Sequence, residues 1–338
     1  GHPVAKTRAD AQICYLAPAM RNRVTQCPFR LVDRAVRRIL EFKFRLGLFE
    51  KKRWYAAKAP VRPGRAEADL AKTAAVQSIV LLKNKHGLLP LSKKLQSIAV
   101  LGPLADDPYE VLGTWNRDGC IEDTVTPLAA IRSFLGESVP IHYAAGLEHS
   151  RSRDTRLFES ALDCARKSDV ILFFAGEEAI LSGEAHSRAR LSLPGAQDTL
   201  IAAVAGTGKP VVLIILAGRP LTIGDISGRV EAVLYAWHPG TLCGPALADL
   251  IFGVESPSGK LPVTFPQRLE DTPAYINGTY PGAREINYGE GIFVCYRYYD
   301  KRQLAPAFPF GHGLSYTSFQ IGEIERSRAT TFSNTSIV

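Results

Sequence analysis

Short runs of consecutive apolar residues alternate with helix-periodic segments between residues 97 and 252. The runs are rich in Val, Ile, Leu and Phe, as are strands that are buried on both faces. We predict strands at residues 97–101, 140–144, 170–175, 211–216 and 232–236. We predict helices at residues 127–135, 155–167, 196–205 and 244–252. This alternation predicts an α/β fold with a mostly parallel sheet covered by helices on both faces, an α/β/α sandwich.

Two helices are predicted before this alternation begins. Residues 29–49 carry apolar side chains at helical spacing and a strongly basic outer face, and Gly47 follows as a C-cap would. Residues 66–84 form the second helix, and residues 51–66, rich in Lys, Arg, Ala and Pro, form an extended linker. Residues 1–28 show no clear periodicity. Because they offer the first helix little to pack on, we expect the chain to start partway through a domain.

The alternation stops beyond Gly253. Residues 256–318 are rich in Pro, Gly and Tyr, with turn sequences PSGK, YPGA and FGHG. Irregular stretches of this length are usually functional or wrap around another domain. From about residue 320 the chain turns polar, which indicates a tail or the start of a further module. We therefore assign residues 67–319 to the sandwich domain and residues 256–318 to a C-terminal wrap within it.

Composition narrows the classes of function. The 338 residues carry a net charge of +8, but the basic excess is spread between Arg21 and Arg65 and is not gathered in one motif with interleaved aromatic residues, so nucleic acid is not an expected partner. No apolar run of about 18 residues predicts a membrane span, and the N-terminus shows no signal-peptide pattern. The six cysteines form no C-x-x-C pair, and the seven histidines show no metal-binding spacing. We expect neither a metal nor a cofactor.

One stretch, residues 169–197, combines a buried strand with an acid-rich loop. The loop holds Glu177, Glu178 and Glu184 and leaves the carboxyl end of the predicted strand, where open α/β sheets bind ligands. A carboxyl group held there can act as a general acid, although a solvated acidic surface loop is an equally ordinary reading. The sequence GTGK, residues 206–209, is no phosphate loop, because a helix precedes it and Pro210 follows it. It is predicted to be a helix C-cap and turn.

Ten segments, in one order between about residues 29 and 319, carry a family resemblance. They are DRAVRRILEFKFRLGLFE, SIVLLKNKHGLLPL, IAVLGPLADD, LGTW, SGEAHSRARLSLPG, GRPL, AWHPGT, PSGKLPVTFP, YGEGIFVCYRYYD and FPFGHGLSYTSF. Each is weak alone, but together they resemble the carboxy-terminal part of glycoside hydrolase family 3, the family of β-glucosidases and β-xylosidases.

The resemblance implies an active site split between two domains. In this family an amino-terminal (β/α)8 barrel carries the nucleophilic aspartate, and the following α/β sandwich supplies the general acid/base from a loop, often within an S-E-G-x-D-R-like motif. The matching residues in SGEAHSR imply that Glu184 is the catalytic acid/base and that Arg188 orders the loop at the substrate site. Ser187 replaces the motif's frequent aspartate. Trp115 in LGTW matches an aromatic residue of the entrance subsite, and Glu290 in YGEG is a distant second candidate for the acid.

The implied chemistry needs a second carboxylate. A retaining glycosidase places two carboxyl groups about 5–5.5 Å apart, and its acid keeps a proton through partial burial or a neighbouring carboxylate, for which Glu177 and Glu178 are candidates. Asp10 is the only acidic residue among residues 1–28, and it stands in a context unlike the family's nucleophile motif. Residues 1–50 are interpreted as the end of the barrel. We therefore expect half an active site, little activity alone, and a barrel domain and a β-glucoside or β-linked oligosaccharide as partners.

Several alternatives stay open. They are β-xylosidase specificity, an inactive saccharide-binding or structural remnant, a flavodoxin-like nucleotide binder, and a homodimer. The location is periplasmic or secreted if the whole protein resembles its relatives. Leu242 and Cys243 stand where the family commonly has Glu and Gly, and Cys295 replaces a frequent glycine, which is strained if its φ is positive.

Overall fold

The computed structural model describes residues 29–50, 64–116, 119–279, 282, 285–320 and 322. The chain divides into two compact units, residues 1–62 and 63–338. The predictions for residues 1–28, for most of the linker and for the tail beyond residue 322 lie outside the described residues. No helix within these ranges is both long and apolar enough to cross a bilayer.

The described part of the first unit is a helix, α1, followed by a turn. Helix α1 spans Phe29–Arg45, and Gly47 adopts a φ of +66° just after it. The helix was therefore predicted correctly, although it is four residues shorter than its apolar pattern. Its large apolar side chains are exposed, with Ile39 at 57% and Phe42 at 67%.

A six-stranded sheet forms the centre of the second unit. The strands are β1 Val80–Asn84, β2 Ile98–Leu101, β3 Ile141–Ala144, β4 Val170–Gly176, β5 Val211–Leu216 and β6 Ala232–Tyr235. Their order in the sheet is β1-β6-β5-β4-β2-β3. Strand β1 runs antiparallel to β6, and all other neighbours are parallel. The five predicted strands are confirmed.

Helices cover both faces of this sheet. They are α2 Arg65–Ser78, α3 Pro127–Leu135, α4 Phe158–Arg166, α5 Gln197–Ala205, α6 Gly224–Gly228 and α7 Cys243–Ile251, with α8 Pro273–Ile276 and α9 Tyr296–Arg302 in the C-terminal segment. Along β4, Leu172 and Phe174 pack against α2, α3 and α7, whereas Ile171 and Phe173 pack against α4, α5 and α6. Every residue of β4 is buried, because both of its faces are covered. The predicted α/β/α sandwich is confirmed.

The predicted helix over residues 66–84 was wrong at residues 79–84. Helix α2 ends at Ser78, Ile79 is extended, and β1 follows. Ile79 and Leu81 enter one core and Val80 and Leu82 enter the other, which is the alternation of a strand buried on both faces. A short apolar run cannot be divided between helix and strand by periodicity alone.

Apart from the short helices α8 and α9, the C-terminal segment is mostly irregular, and it covers an edge of the sheet. The N–H of Leu314 donates to the carbonyl of Leu81 in β1 at 2.8 Å, and Phe265 forms a bridge with Phe308. This pairing satisfies backbone groups that an edge strand would leave exposed. The GTGK sequence is likewise a turn, since α5 ends just before Gly206 and Gly208 has a φ of +77°.

Candidate active site

The acidic loop, residues 177–196, starts where β4 leaves the sheet. Gly176 has a φ of +147°, and a Cβ there would collide with the carbonyl oxygen of Leu216 in β5. Only glycine permits this approach. The N–H of Glu177 then donates to the same carbonyl at 2.8 Å. The first residue of the loop is therefore fixed to the carboxyl edge of the sheet.

Gln197 joins the two ends of the acidic loop. This fully buried side chain begins α5, and its amide nitrogen lies 2.8 Å from the carbonyl oxygen of Gly176, 3.1 Å from that of Pro194 and 3.0 Å from that of Ser150. Its amide oxygen accepts from the N–H of Gly176 at 2.9 Å. One side chain thus satisfies backbone groups from three segments. We did not predict this role, because its partners are brought together only by the fold.

Glu184 lies at the corner of a tight turn in this loop. The N–H of His186 donates to the carbonyl of Gly183 at 3.2 Å, and Gly183 and Ala185 adopt φ values of +102° and +64°. A positive φ at the third position is the mark of a type II turn and is uncommon for alanine. The Glu184 side chain is exposed and makes no hydrogen bond or ion pair within the described chain. The turn therefore presents this carboxyl group to solvent.

The side chain of Glu177 in the same loop is completely buried and forms ion pairs with two arginines. Its carboxylate pairs with Arg188 and, at 3.1 Å, with the Nε of Arg219. Arg188 also donates to the carbonyl of Ser192 at 3.0 Å. Both of these Arg188 contacts lie within its own loop. Arg219, which follows β5, was not among the predicted site residues.

Glu178 also pairs with an arginine. Arg151 binds its two oxygens at 2.9 and 3.1 Å, and the Ser150 hydroxyl donates to it at 2.6 Å. Burial raises the pKa of Glu178, but these hydrogen bonds outweigh burial and lower its pKa overall. Glu177 and Glu178 are each paired with arginine. The structure therefore does not support the expectation that their negative charge keeps a neighbouring acid protonated.

The segment that carries Trp115 is attached to the acidic loop. The Thr114 hydroxyl lies 2.8 Å from the carbonyl oxygen of Ser182 and also binds the carbonyl of Ala179. The N–H of Ala179 donates to Glu110, whose pKa burial raises. Trp115 itself is 62% exposed. The structure therefore brings the segments of two predicted site residues, Trp115 and Glu184, into contact.

A second tryptophan, Trp237, is partly buried and packs against the core. Trp237 packs edge-on against Tyr235 at 4.8 Å and against Phe265 at 6.0 Å, and has a φ of +62°. The next residue, His238, has both ring nitrogens buried without a hydrogen-bond partner in the described chain. Burial lowers the pKa of His238, so its ring is neutral near pH 7.

Glu290 lies in the C-terminal segment and is half-buried. Its carboxylate accepts a hydrogen bond from the side-chain amide of Asn277 at 2.9 Å. No hydrogen bond or ion pair between described residues links it to the acidic loop. Nor do these residues include a group of three or more His, Cys, Asp or Glu side chains placed to hold a metal.

The family model of the glycosyl hydrolase family 3 C-terminal domain matches residues 79–316. The chain belongs to glycoside hydrolase family 3. The match covers the sheet, the acidic loop and the C-terminal wrap, so the family resemblance of the sequence is confirmed.

Family 3 relatives include enzymes of more than one specificity. The chain is 35% identical over 324 residues to the periplasmic β-glucosidase of Salmonella typhimurium, covering 88% of this chain and 42% of that protein. It is 37% identical over 301 residues to a β-xylosidase of Formosa agariphila, covering 87% of this chain and 40% of that protein. A solved β-glucosidase from Listeria innocua in complex with isofagomine superposes with a TM-score of 0.70 at 32% identity, covering 88% of this chain and 41% of that one. The chain thus spans about two-fifths of the length of these proteins.

Two departures from the family 3 pattern have a structural consequence. Cys295 adopts φ +52° and ψ −134°, so the concern about a positive φ at this position is justified. Cys243 replaces its glycine without such a conformation, because it starts α7 as a completely buried helical residue, where burial raises its thiol pKa.

Proposed function

We propose that this chain is the acid/base half of a family 3 β-glycosidase of the β-glucosidase type, with Glu184 as the general acid/base. The observation that carries the proposal is the contrast within the acidic loop. Glu177 and Glu178 are bound to arginines, whereas Glu184 projects from a tight turn without a partner in the described chain. A proton-transfer group must be free to meet its substrate, and only Glu184 among the three is.

The reaction we assign is a double displacement. A carboxylate of a partner barrel attacks the anomeric carbon while Glu184 transfers its proton to the departing glycosidic oxygen, and the carbon–oxygen bond breaks. In the second step, Glu184 as carboxylate takes a proton from water, whose oxygen attacks the anomeric carbon, breaks its bond to the barrel's carboxylate and so releases the sugar. No residue of the sequence stands in a context like the family's nucleophile motif, so we assign the nucleophile to the barrel. The barrel would also cover Glu184, as a general acid requires.

The other predicted site residues take supporting roles in this proposal. The exposed indole of Trp115 offers an apolar face against which a sugar ring can stack at the entrance. Arg188 acts on the shape of the acidic loop, since both of its hydrogen-bond partners, Glu177 and Ser192, are in that loop. Glu290 remains a second candidate for the acid.

The experiment uses the 338-residue chain with an aryl β-glucoside. We expect little or no turnover by the chain alone, and turnover after addition of a separately expressed family 3 barrel. Glu184→Gln should then greatly lower it. Glu137→Gln, a change of an exposed glutamate at the opposite, amino edge of the sheet, should not. Robust turnover by the chain alone, lost in Glu184→Ala, would contradict the assignment of the nucleophile to a barrel.

Specificity is tested in the same assay. The β-xylosidase among the relatives makes β-xylosides the second substrate class to compare with β-glucosides. Faster cleavage of an aryl β-xyloside would replace the glucosidase assignment. The periplasmic β-glucosidase among the relatives supports an extracytoplasmic location, which cell fractionation with an antibody against this chain would test.

The alternative function is an inactive saccharide-binding remnant. The strained Cys295, at a position where the family often has glycine, favours it. Calorimetric titration with glucose and cellobiose separates the two proposals. Binding by the chain together with a barrel that restores no activity would support the remnant.

A further inference from the structure

Arg219 binds the backbone on both sides of the Glu184 turn. Its Nη2 donates to the carbonyl of His186 at 2.9 Å and also to the carbonyl of Leu181. These two carbonyls lie on either side of Glu184 in the chain. A single guanidinium therefore fixes both ends of the segment that presents the carboxyl group.

Arg219 is itself fixed from two directions. Its Nε pairs at 3.1 Å with Glu177, a side chain with no exposed surface. Its backbone carbonyl accepts the hydroxyl of Tyr235, which is completely buried at the end of β6. Glu177 follows β4 directly and Tyr235 is the last residue of β6, so Arg219 links the turn to the carboxyl edge of the buried sheet.

The contacts require an arginine. The planar fork presents several N–H donors in fixed directions, which allows one side chain to bind a carboxylate and two carbonyls together. A lysine keeps the positive charge beside Glu177 but carries one ammonium group, which cannot span these acceptors. Replacement of Arg219 by lysine thus separates the role of charge from the role of geometry.

We propose that Arg219 is a positioning residue for Glu184 and that Glu177 is the buried counter-ion that holds Arg219 in place. The proposal rests on the proposed function of Glu184 as acid/base. Its physical reason is that proton transfer depends on the distance and angle between the acid and the glycosidic oxygen, so an unsupported turn loses rate before it loses substrate binding.

The first test measures order in the chain alone. Amide hydrogen exchange of residues 182–188 is compared between wild type, Arg219→Lys and a matched control, Arg229→Lys, at an exposed arginine on the opposite edge of the sheet. We expect the His186 amide to exchange at least tenfold faster in Arg219→Lys, and the amides of β4 to be unchanged in both variants. Unchanged exchange at His186 in Arg219→Lys would overturn the positioning role.

The second test measures catalysis in the chain combined with its barrel. Arg219→Lys should lower kcat/KM, which measures cleavage of the glycosidic bond in the first step, at least 30-fold for an alkyl β-glucoside, whose leaving group needs a proton. It should lower kcat/KM less than threefold for 2,4-dinitrophenyl β-glucoside, whose leaving group does not. For the alkyl β-glucoside, KM should change little. A purely structural role would lower both rates equally. Glu177→Gln is the second variant, and it should reproduce the selective loss because it frees Arg219.

Glu184→Gln in the same assay keeps the two failures apart. If Glu184→Gln shows no dependence on the leaving group, the acid/base assignment is wrong and the proposal for Arg219 falls with it. If Glu184→Gln shows this dependence and Arg219→Lys does not, the acid/base assignment stands and the positioning role is refuted.

Discussion

Cys295→Gly should stabilise the protein, although it removes a side chain. Cys295 immediately precedes α9 with φ +52° and ψ −134°, a conformation that residues with a Cβ rarely adopt. Such a conformation costs about 1–3 kcal/mol. The thiol contributes little stability, because its contact with the Thr264 hydroxyl is 3.9 Å long.

The expected gain follows from two opposing terms. Glycine removes about 2 kcal/mol of strain in the folded state. It also gives the unfolded chain more freedom, which costs about 0.4–1 kcal/mol. The free energy of unfolding should therefore rise by about 1 kcal/mol. With an m-value of about 3 kcal/mol/M, the midpoint of urea unfolding should rise by about 0.3 M.

The assay is urea unfolding under reducing conditions, followed by circular dichroism. Cys295→Ala keeps the Cβ and should leave the midpoint nearly unchanged, which separates the backbone from the thiol. Cys164→Gly makes the same chemical change inside α4, where glycine lowers stability by about 0.5–1 kcal/mol relative to alanine. If Cys295→Gly lowers the midpoint as Cys164→Gly does, the strain argument is refuted.

Three further predictions concern buried polar groups. Gln197→Leu should lower the free energy of unfolding by about 3 kcal/mol or more, because it leaves several buried backbone groups without partners; a loss below about 1 kcal/mol in urea unfolding would show that other partners replace it. The lowered pKa of Glu178 means that its contribution to stability is present above its ordinary value of 4.5 and is lost as the pH falls through the folded value. Arg151→Met should therefore flatten the fall in thermal midpoint between about pH 5 and 3, and an unchanged slope would count against it. The lowered pKa of His238 means that stability is lost as the pH falls below 6.5, so His238→Gln should flatten the profile between about pH 7 and 5, which thermal melts at each pH would verify or refute.

The sheet was predictable because the apolar composition of its strands indicates that both of their faces are buried. Strands such as β4 and β5 are apolar at every position, and only a strand covered on both faces buries such a run. The same argument failed at β1. Its apolar run follows a helix directly, and a run of that length is compatible with the buried end of a helix as well as with a strand.

The candidate site was predictable only in part. The family resemblance selected Glu184, Arg188 and Trp115, because these residues stand within recognisable local motifs. The supports of the acidic loop left no such mark. Arg219 is 42 residues from Glu177, and Gln197 is 47 residues from Ser150, so neither pairing is visible as a spacing along the chain.

The sequence by itself determined the α/β sandwich, the family and the position of the acidic loop after a buried strand. These follow from the periodicity of apolar residues and from short motifs, which are local properties of the chain. Only the tertiary structure decided that Glu177 and Glu178 are bound by arginines while Glu184 has no partner among the described residues. Glu177 meets Arg219 because β4 approaches β5 closely at Gly176. A distance of about 3 Å between two such side chains is set by the fold and not by their separation along the chain.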